Sequence, residues 1–474
     1  MLSVADNELL TRVGPGTPMG ELMRQYWVPA LPSSEFPAPD SPPKRMKLLG
    51  EYLVMFRDSN GDMGCVAEAC PHRGASLFFG RNEEAGLRCV YHGWKFDVTG
   101  ACIDMPSEPA ESNFKSKVRV KAYTCRDVNH MVWVYMGSRV EPPPFPAFEI
   151  NTLPPEQVSP PGIMMEESNW LQNLEGDLDT NHLDYLHSRL DGYRWRMFDE
   201  KPSEGPGVGL FNQIWSDKIP RLDVRSTEYG CYYSGARTWD QDPRYEWHRI
   251  NQFIFPFHTM ITGSDGPTLR SFVPLDDEWA MLITQRSSLT DAIYDPTRPV
   301  PDPFEAAGGY VERTSNPTSY FYTKANKHND YSRDYEAEKT RLVCGVPPVG
   351  NLQDRAMTEL MSNEKGEVIY DRSHEHLGTL DVMVITVRRQ LLKAVKALRD
   401  TGVAPPNVDD ARLQRMRHAT VILPKGADWV GETEAFRSSQ SGLPFLSEMK
   451  PFAEARPAQA LPAQPVEVGG AGGS

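Results

Sequence analysis

Residues 70–96 read CPHRGASLFFGRNEEAGLRCVYHGWKF. Cys70 and His72 stand as Cys-x-His, and Cys89 and His92 as Cys-x-x-His. No other stretch restricts the fold as tightly. Two thiols and two imidazoles in paired turns make a metal site, and they reach one metal group only if the turns face each other. The 16 residues between His72 and Cys89 are enough for that. Gly74 and Gly93 follow the two histidines closely and allow tight backbone, so that amides can approach the bound group.

The pairing of ligand types narrows the metal. Zinc takes two cysteines and two histidines tetrahedrally, and zinc fingers commonly pair Cys with Cys and then His with His. Here each half holds one of each. That suits a two-iron, two-sulfide cluster with one iron on Cys70 and Cys89 and the other on His72 and His92. This is the Rieske type, whose histidines raise its potential. Zinc is the competing reading. The wider string, Cys-Pro-His-Arg-Gly then Cys-x-Tyr-His-Gly-Trp-x-Phe, goes against it.

The flanks read as strands. MKLLGEYLVMFRD, GCVAEAC, LRCVYHGWKFD and HMVWVYMG are short apolar or alternating runs broken by Gly, Asn and Asp, which predicts a small all-β domain. EPPPFPAF at 141–148 is a proline-rich exit that neither helix nor central strand tolerates. The chain of 474 residues has room for two or three domains. Its net charge of −14 excludes sequence-independent nucleic-acid binding. No run of 18 apolar residues predicts a membrane span, and the N-terminus lacks the pattern of a secretory signal. Seven cysteines at irregular spacing do not make a disulfide framework, and a reducing cytoplasm is the expected setting.

The Rieske string resembles the oxygenase component of Rieske non-heme iron oxygenases. An electron carrier would need only the first domain, of about a hundred residues, so the long remainder should hold a second site. GDLDTNHLDYLHS supplies it: Asp179, His182 and His187 form Asp-x-x-His-x4-His. Two imidazoles plus one carboxylate make the facial triad of non-heme Fe(II), with open positions for O2 and substrate. On a regular helix His182 and His187 would lie about 140° apart, so a break is expected. Asp179 and His182 share a face.

The resemblance implies the rest of the site. The third ligand is an Asp far downstream at a helix start, which NLQDRAMTE offers as Asp354, with Asp381 and Asp371 as fallbacks. The competing reading of Asp354 is an ordinary helix-start acid. Asp179 is implied as a bridge carrying electrons from His92 of one subunit to His182 of the next, within a head-to-tail homotrimer or a hexamer. Each chain would hold one [2Fe-2S] cluster and one mononuclear Fe(II). The implied fold class is α+β: an all-β Rieske domain joined to a helix-grip (START-like) catalytic domain with an antiparallel sheet and flanking helices. The expected boundaries are an N-terminal segment at 1–40 packing on the catalytic domain, the Rieske domain at 41–145, the catalytic domain at 146–445, and a disordered tail at 446–474. Helices are expected near 21–26, 169–188, 351–362 and 380–400.

The implied function is the terminal oxygenase component of a multicomponent system of the phthalate dioxygenase and aryl ether demethylase branch. The chain has no Gly-x-Gly-x-x-Gly opening a helix and no Cys-x4-Cys-x2-Cys loop, so a separate reductase must supply electrons. A flavin-dependent reductase using NAD(P)H, with or without its own ferredoxin domain, is the expected partner. The expected substrate is an aromatic carboxylate undergoing phthalate-like ring dioxygenation; the alternative is O-demethylation of a methoxylated aromatic acid. A Rieske electron carrier without oxygenase activity is a third reading, against which Asp179, His182 and His187 stand. A carboxylate substrate calls for an arginine fork, and Arg244, Arg249 and Arg270 lie in the segment expected to line the pocket, although each could be an ordinary ion-paired arginine. His248 and His258 read as packed histidines, and SHEH at 373–376 as polar surface.

Overall fold

Alternating and continuous apolar runs in the first third of the chain become two small sheets. The computed structural model describes residues 2–109, 111–190, 217–262, 266–298, 300, 302, 304–305, 308–349, 351–361 and 366–451. The first sheet has six strands: β1 (Trp27–Pro32), β2 (Lys44–Leu48), β3 (Glu51–Arg57), β4 (Met63–Ala67), β9 (Ala122–Val128) and β10 (Met131–Tyr135), in the order β1-β10-β9-β4-β3-β2. The second has four: β5 (Arg81–Glu83), β6 (Gly86–Arg88), β7 (Lys95–Phe96) and β8 (Cys102–Asp104). A separate apolar cluster that includes Val54, Phe56, Leu77, Leu87 and Phe96 fills the space between them and reaches Cys70 and Cys89.

The N-terminal segment divides between the two parts of the molecule. Helices α1 (Val4–Thr11) and α2 (Pro18–Met23) pack on the long helix α5 (Val382–Thr401). Strand β1 instead forms the edge of the six-stranded sheet, paired with β10. It also touches Thr268–Pro274, a strand of the larger sheet, so residues 1–40 contact both parts.

The remainder is built on a nine-stranded sheet. Its main path is β11 (Gly162–Glu166), β17 (Ala280–Arg286), β16 (Thr268–Pro274), β15 (His258–Met260), β14 (Tyr245–Ile254), β13 (Gly230–Thr238) and β12 (Arg221–Ser226), all antiparallel. β18 (Ala419–Pro424) also pairs with β14, and β19 (Ser447–Pro451) adds to β18 in parallel. The chain at 447–451 is thus a strand, although a disordered tail was expected from 446; residues 452–474 lie outside the described residues. Helix α5 packs on β12 and β13 and ends at Gly402, whose φ of +73° closes the helix with an N–H donated to Leu398 O.

Two shorter helices position the site. α3 (Trp170–Leu178) is buried on nearly every side and packs on β15, β16 and α4 (Leu352–Thr358). Gly176, costly inside a helix, is explained by this contact: a Cβ there would meet Thr358 Cγ2 at 3.0 Å. Gln172 Nε2 donates to Thr358 O at 2.8 Å across the same contact. Among the described residues no helix is long and apolar enough to cross a membrane.

Candidate metal centres and substrate cavity

The two motif turns have the same backbone. Cys70 N–H donates to Ala75 O and Gly74 N–H to Cys70 O, both at 2.8 Å. Cys89 N–H donates to Trp94 O at 2.8 Å and Gly93 N–H to Cys89 O at 2.9 Å. Both glycines have positive φ, +74° and +78°, and a Cβ on Gly93 would strike Pro106 at 2.7 Å. The turns face each other: the His72 and His92 rings lie 4.5 Å apart edge to face, and His72 stacks on Trp94.

This arrangement fits a two-iron cluster. His92 Nδ1 is buried and has no hydrogen-bond partner, an orphan that a metal bond would satisfy. Burial, with the facing His72 and Arg73 adding, pushes the His92 pKa down and favours the neutral ring that ligates. Burial and the adjacent Cys89 push the Cys70 thiol up to about 11, so the paired thiolates need a cation to exist here. Cys70, His72, Cys89 and His92 do not gather into a mononuclear ligand set, which counts against a single zinc ion.

Among the described residues, the one mononuclear set is His182, His187 and Asp354, with ligand atoms all within 4.8 Å of one another. Its geometry follows from the end of α3. Asp179 caps that helix in an extended conformation, and His182–Asp184 forms a 3-10 turn beyond it. A helix over 169–188 broken between His182 and His187 was expected; the helix instead ends at Leu178, ahead of both, and the turns beyond it bring His182 Nε2 to 3.2 Å and His187 Nε2 to 3.1 Å from the same oxygen, Asp354 Oδ1. Asp354 sits in the first turn of α4. Behind it, fully buried Arg355 holds that helix through Glu359 at 2.7 Å and Thr323 at 2.6 Å.

The electrostatics call for a cation. Burial raises the Asp354 pKa, but His187 and His182 outweigh it and hold the carboxyl far below its usual range. Burial lowers the His182 pKa, but Asp179 and Asp354 outweigh it and push it up to about 10. Two carboxylates thus face His182, and a divalent metal satisfies both ring and acid. Asp179 Oδ2 lies 3.3 Å from His182 Nδ1, and its Oδ1 accepts Asn181 N–H at 2.7 Å. The fallbacks are elsewhere: Asp381 ends the 3-10 turn ahead of α5, stands at the N-cap position of that helix and accepts Gly378 N–H, and Asp371 lies beside exposed His374.

Of the candidate arginines, Arg244 is 83% exposed in its side chain and pairs with Asp242; it does not line the cavity. Arg249 is buried but occupied, donating to Thr262 Oγ1 at 2.6 Å, Thr262 O at 3.0 Å and Thr180 Oγ1 at 3.0 Å. It is a strut between the sheet and the turn carrying His182. Arg270 differs. It is buried, pairs through Nη2 with Asp177 at 2.8 Å, and its Nε has no hydrogen-bond partner. It lines a cavity of about 1110 Å³ together with Ile163, Met164, Ile261, Leu282 and Phe304. Asn351, which caps α4, and Thr262, which holds Arg249, join this cavity to the elements of the metal triad. His248 and His258 are buried against Ser234 and Ser271 hydroxyls. Sequence reasoning missed Gln353, whose Oε1 is 2.7 Å from His187 Nδ1; its only signal was its place before Asp354.

Comparison with known proteins gives the family. Residues 26–124 match the Rieske [2Fe-2S] domain family, and residues 134–443 match the family described as LigXa C-terminal domain like. The 3-chlorobenzoate-3,4-dioxygenase oxygenase subunit of Comamonas testosteroni is 39% identical over 90% of this chain and 97% of its own. The phthalate 4,5-dioxygenase oxygenase subunit of Pseudomonas putida is 34% identical over 90% of this chain and 94% of its own. The 5,5'-dehydrodivanillate O-demethylase oxygenase subunit of Sphingobium sp. (strain NBRC 103272 / SYK-6) is 36% identical over 84% and 81%. Among solved structures, NdmA of Pseudomonas putida CBB5 shares the fold, with a TM-score of 0.51 at 18% identity over 83% of this chain and 96% of that one. The chain belongs to the Rieske non-heme iron oxygenases, as the terminal oxygenase component that carries a [2Fe-2S] cluster and a mononuclear iron and depends on a separate electron-transfer partner and O2.

Proposed function

We propose that this oxygenase dihydroxylates the ring of an aromatic carboxylate, with Cys70, His72, Cys89 and His92 holding the cluster and His182, His187 and Asp354 holding the iron. When bound, the cluster supplies electrons singly and the iron activates O2. The observation that carries the substrate class is Arg270: a buried guanidinium with an unpartnered Nε in a cavity of mixed polar and apolar lining, whose other charged residues, Arg286, Asp295 and Arg298, are exposed. A cavity of about 1110 Å³ is larger than the roughly 300–1,000 Å³ of most small-molecule sites, so shape alone does not select a single ring and the polar anchor must orient it. A carboxylate on Arg270 would fix which ring carbons turn toward the triad, while Met164, Leu282 and Phe304 exclude water from the ring. The names of the chlorobenzoate and phthalate relatives agree with this class. The demethylase relative favours a second reading, O-demethylation of a methoxylated aromatic acid, with the same anchor.

The test is a single turnover. The iron-loaded, chemically reduced protein is exposed to O2 with a panel of aromatic acids, their methyl ethers and neutral analogues, and products are read by mass spectrometry. A cis-diol holding both O2 atoms, formed from acids and not from neutral analogues, is the expected result; formaldehyde release would establish the second reading. Arg270→Leu is expected to weaken the productive acid about 10–100-fold, the scale of a lost charged hydrogen bond. Equal use of neutral analogues by the unaltered protein would overturn the carboxylate anchor.

Electrons are proposed to come from a flavin-dependent reductase using NAD(P)H and to enter across a subunit boundary of a homotrimer or hexamer. The support is Asp179, a third exposed beyond its own His182, and the exposed Val90 and Tyr91 beside His92. Asp179→Asn is expected to slow steady-state turnover by about 10–100-fold with iron content and cluster reduction by dithionite unchanged. A rate within twofold of wild type would remove Asp179 from the path. The cytoplasm is the proposed location, supported by the five cysteines outside the cluster, none of which is in a disulfide.

A further inference from the structure

The two iron-ligand histidines have different partners behind them. His182 Nδ1 faces a carboxylate, Asp179 Oδ2, at 3.3 Å. His187 Nδ1 faces a neutral amide, Gln353 Oε1, at 2.7 Å. Which end of that amide meets the ring is fixed by its other contact: Gln353 Nε2 is 2.9 Å from Val346 O. A backbone carbonyl only accepts, so the NH2 group must point at Val346 and the amide oxygen at His187. An amide oxygen also only accepts, so Nδ1 of His187 must carry the proton. The lone pair is left on Nε2, the atom 3.1 Å from Asp354 Oδ1. Gln353 is buried, at 3% exposure, and His187 at 7%, so water does not compete for either bond. The Cys344 thiol lies against the same side chain.

We infer that Gln353 is a positioning residue for the mononuclear iron: through the relay from Val346 O to Gln353 to His187 Nδ1–H it sets the tautomer and ring orientation of His187. The inference rests on the assignment of His187 as a ligand. It also explains why the adjacent pair Gln353–Asp354 sits together on α4. One turn of that helix supplies both the carboxylate ligand and the group that orients a histidine ligand, so the two cannot drift apart. The choice of an amide has a charge consequence as well. Asp354 and Asp179 already place two carboxylates about the site, which balances a divalent ion; a third behind His187 would leave a net negative charge in a buried place.

The test uses full-length protein with its cluster loaded and its mononuclear site stripped, titrated with Fe(II) and Co(II). Gln353→Met is expected to bind either ion about 10–100-fold more weakly, the usual effect of removing a ligand's hydrogen-bond partner. In the Co(II) form, proton NMR should show exchangeable, hyperfine-shifted N–H signals from His182 and His187, and Gln353→Met should lose the second. Gln353→Glu separates positioning from packing. It keeps an acceptor for Nδ1–H but cannot donate to Val346 O, so it should retain the signal and bind at least as tightly as wild type. If Glu and Met variants weaken alike, Gln353 is a structural residue and the inference fails. If the Met variant does not fold, as read by its cluster absorption, the Glu variant decides: a tenfold loss overturns the inference and unchanged or tighter binding supports it. His187→Ala is the control, since unchanged affinity there would overturn the ligand assignment itself.

Discussion

Replacing His182 with alanine is expected to empty the mononuclear site, abolish product formation and leave the Rieske cluster spectroscopically unchanged. The reasons are geometric. Both histidine Nε2 atoms approach one oxygen of Asp354, so on the proposed assignment the site has three protein ligands and each is a third of its grip. Removing His182 also frees Asp179 from the ring it faces at 3.3 Å, and leaves the Asp354 carboxylate supported by His187 alone. Asp354→Ala should be as severe, because it removes the only carboxylate among the three ligands and with it the charge that attracts a divalent ion. Cys70 and Cys89 belong to an apolar core separate from the main one, with His72 and His92 facing each other in the same two turns, so the cluster's absorption and its reduced-state electron paramagnetic resonance should persist in both variants. Metal analysis then reads loss of one iron per chain and no sulfide. Retention of full iron by either variant would mean that the triad is not the iron site.

How legible these centres are in the sequence depends on how locally each is built. Cys70, His72, Cys89 and His92 come from two turns of one short stretch, so their spacing carries nearly all the geometry. His182 and His187 are also local; argument supplied a helix break between them, and the structure ends the helix earlier, at Leu178. Asp354 lies on another helix, and only resemblance connected it with the histidines. The arginines show the limit most clearly. Arg244 and Arg249 are five residues apart in one polar stretch, yet Arg244 is a surface residue before β14 and Arg249, within that strand, is buried. Arg270 faces a cavity because β16 is buried along its whole length, which alternation alone cannot reveal. SHEH reads as surface, and His374 is 87% exposed, but the Glu375 between the histidines turns inward to Arg388. Sequence gives no sign of that inward turn, because the partner lies on α5.

That inward turn belongs to a buried charge cluster with a large expected effect on stability. Glu175, on α3, accepts from Arg372 Nε at 3.0 Å and from Arg388 Nε and Nη2 at 2.6 and 2.9 Å. Glu375 completes the set by pairing with Arg388. Two acids thus balance two guanidiniums, each no more than 9% exposed. Burial raises the Glu175 pKa, but Arg372 and Arg388 outweigh it and hold it below its usual value, so the carboxylate stays charged. Its folded pKa is depressed, so its contribution to stability is present above the unfolded carboxyl value of about 4.3 and fades as pH falls through the folded value.

Glu175→Leu is expected to destabilise the fold by about 3–5 kcal/mol at neutral pH, because it leaves the Arg372 charge buried with only Asn7 and a backbone carbonyl as acceptors. Glu375→Leu should cost less, since Arg388 keeps both of its bonds to Glu175. The informative variant is the double change Glu175→Leu with Arg372→Met. It removes one charge of each sign and leaves Arg388 paired with Glu375, so it should recover much of the loss, as apolar replacements of buried ion pairs often do. Chemical denaturation followed by tryptophan fluorescence measures all three. If the double variant is no more stable than Glu175→Leu, the cost lies in packing around α3 and not in the stranded charge. The distinction bears on the iron site: Glu175 O accepts the N–H of Asp179, so the cluster that anchors Glu175 also fixes where α3 ends and where the turn to His182 begins.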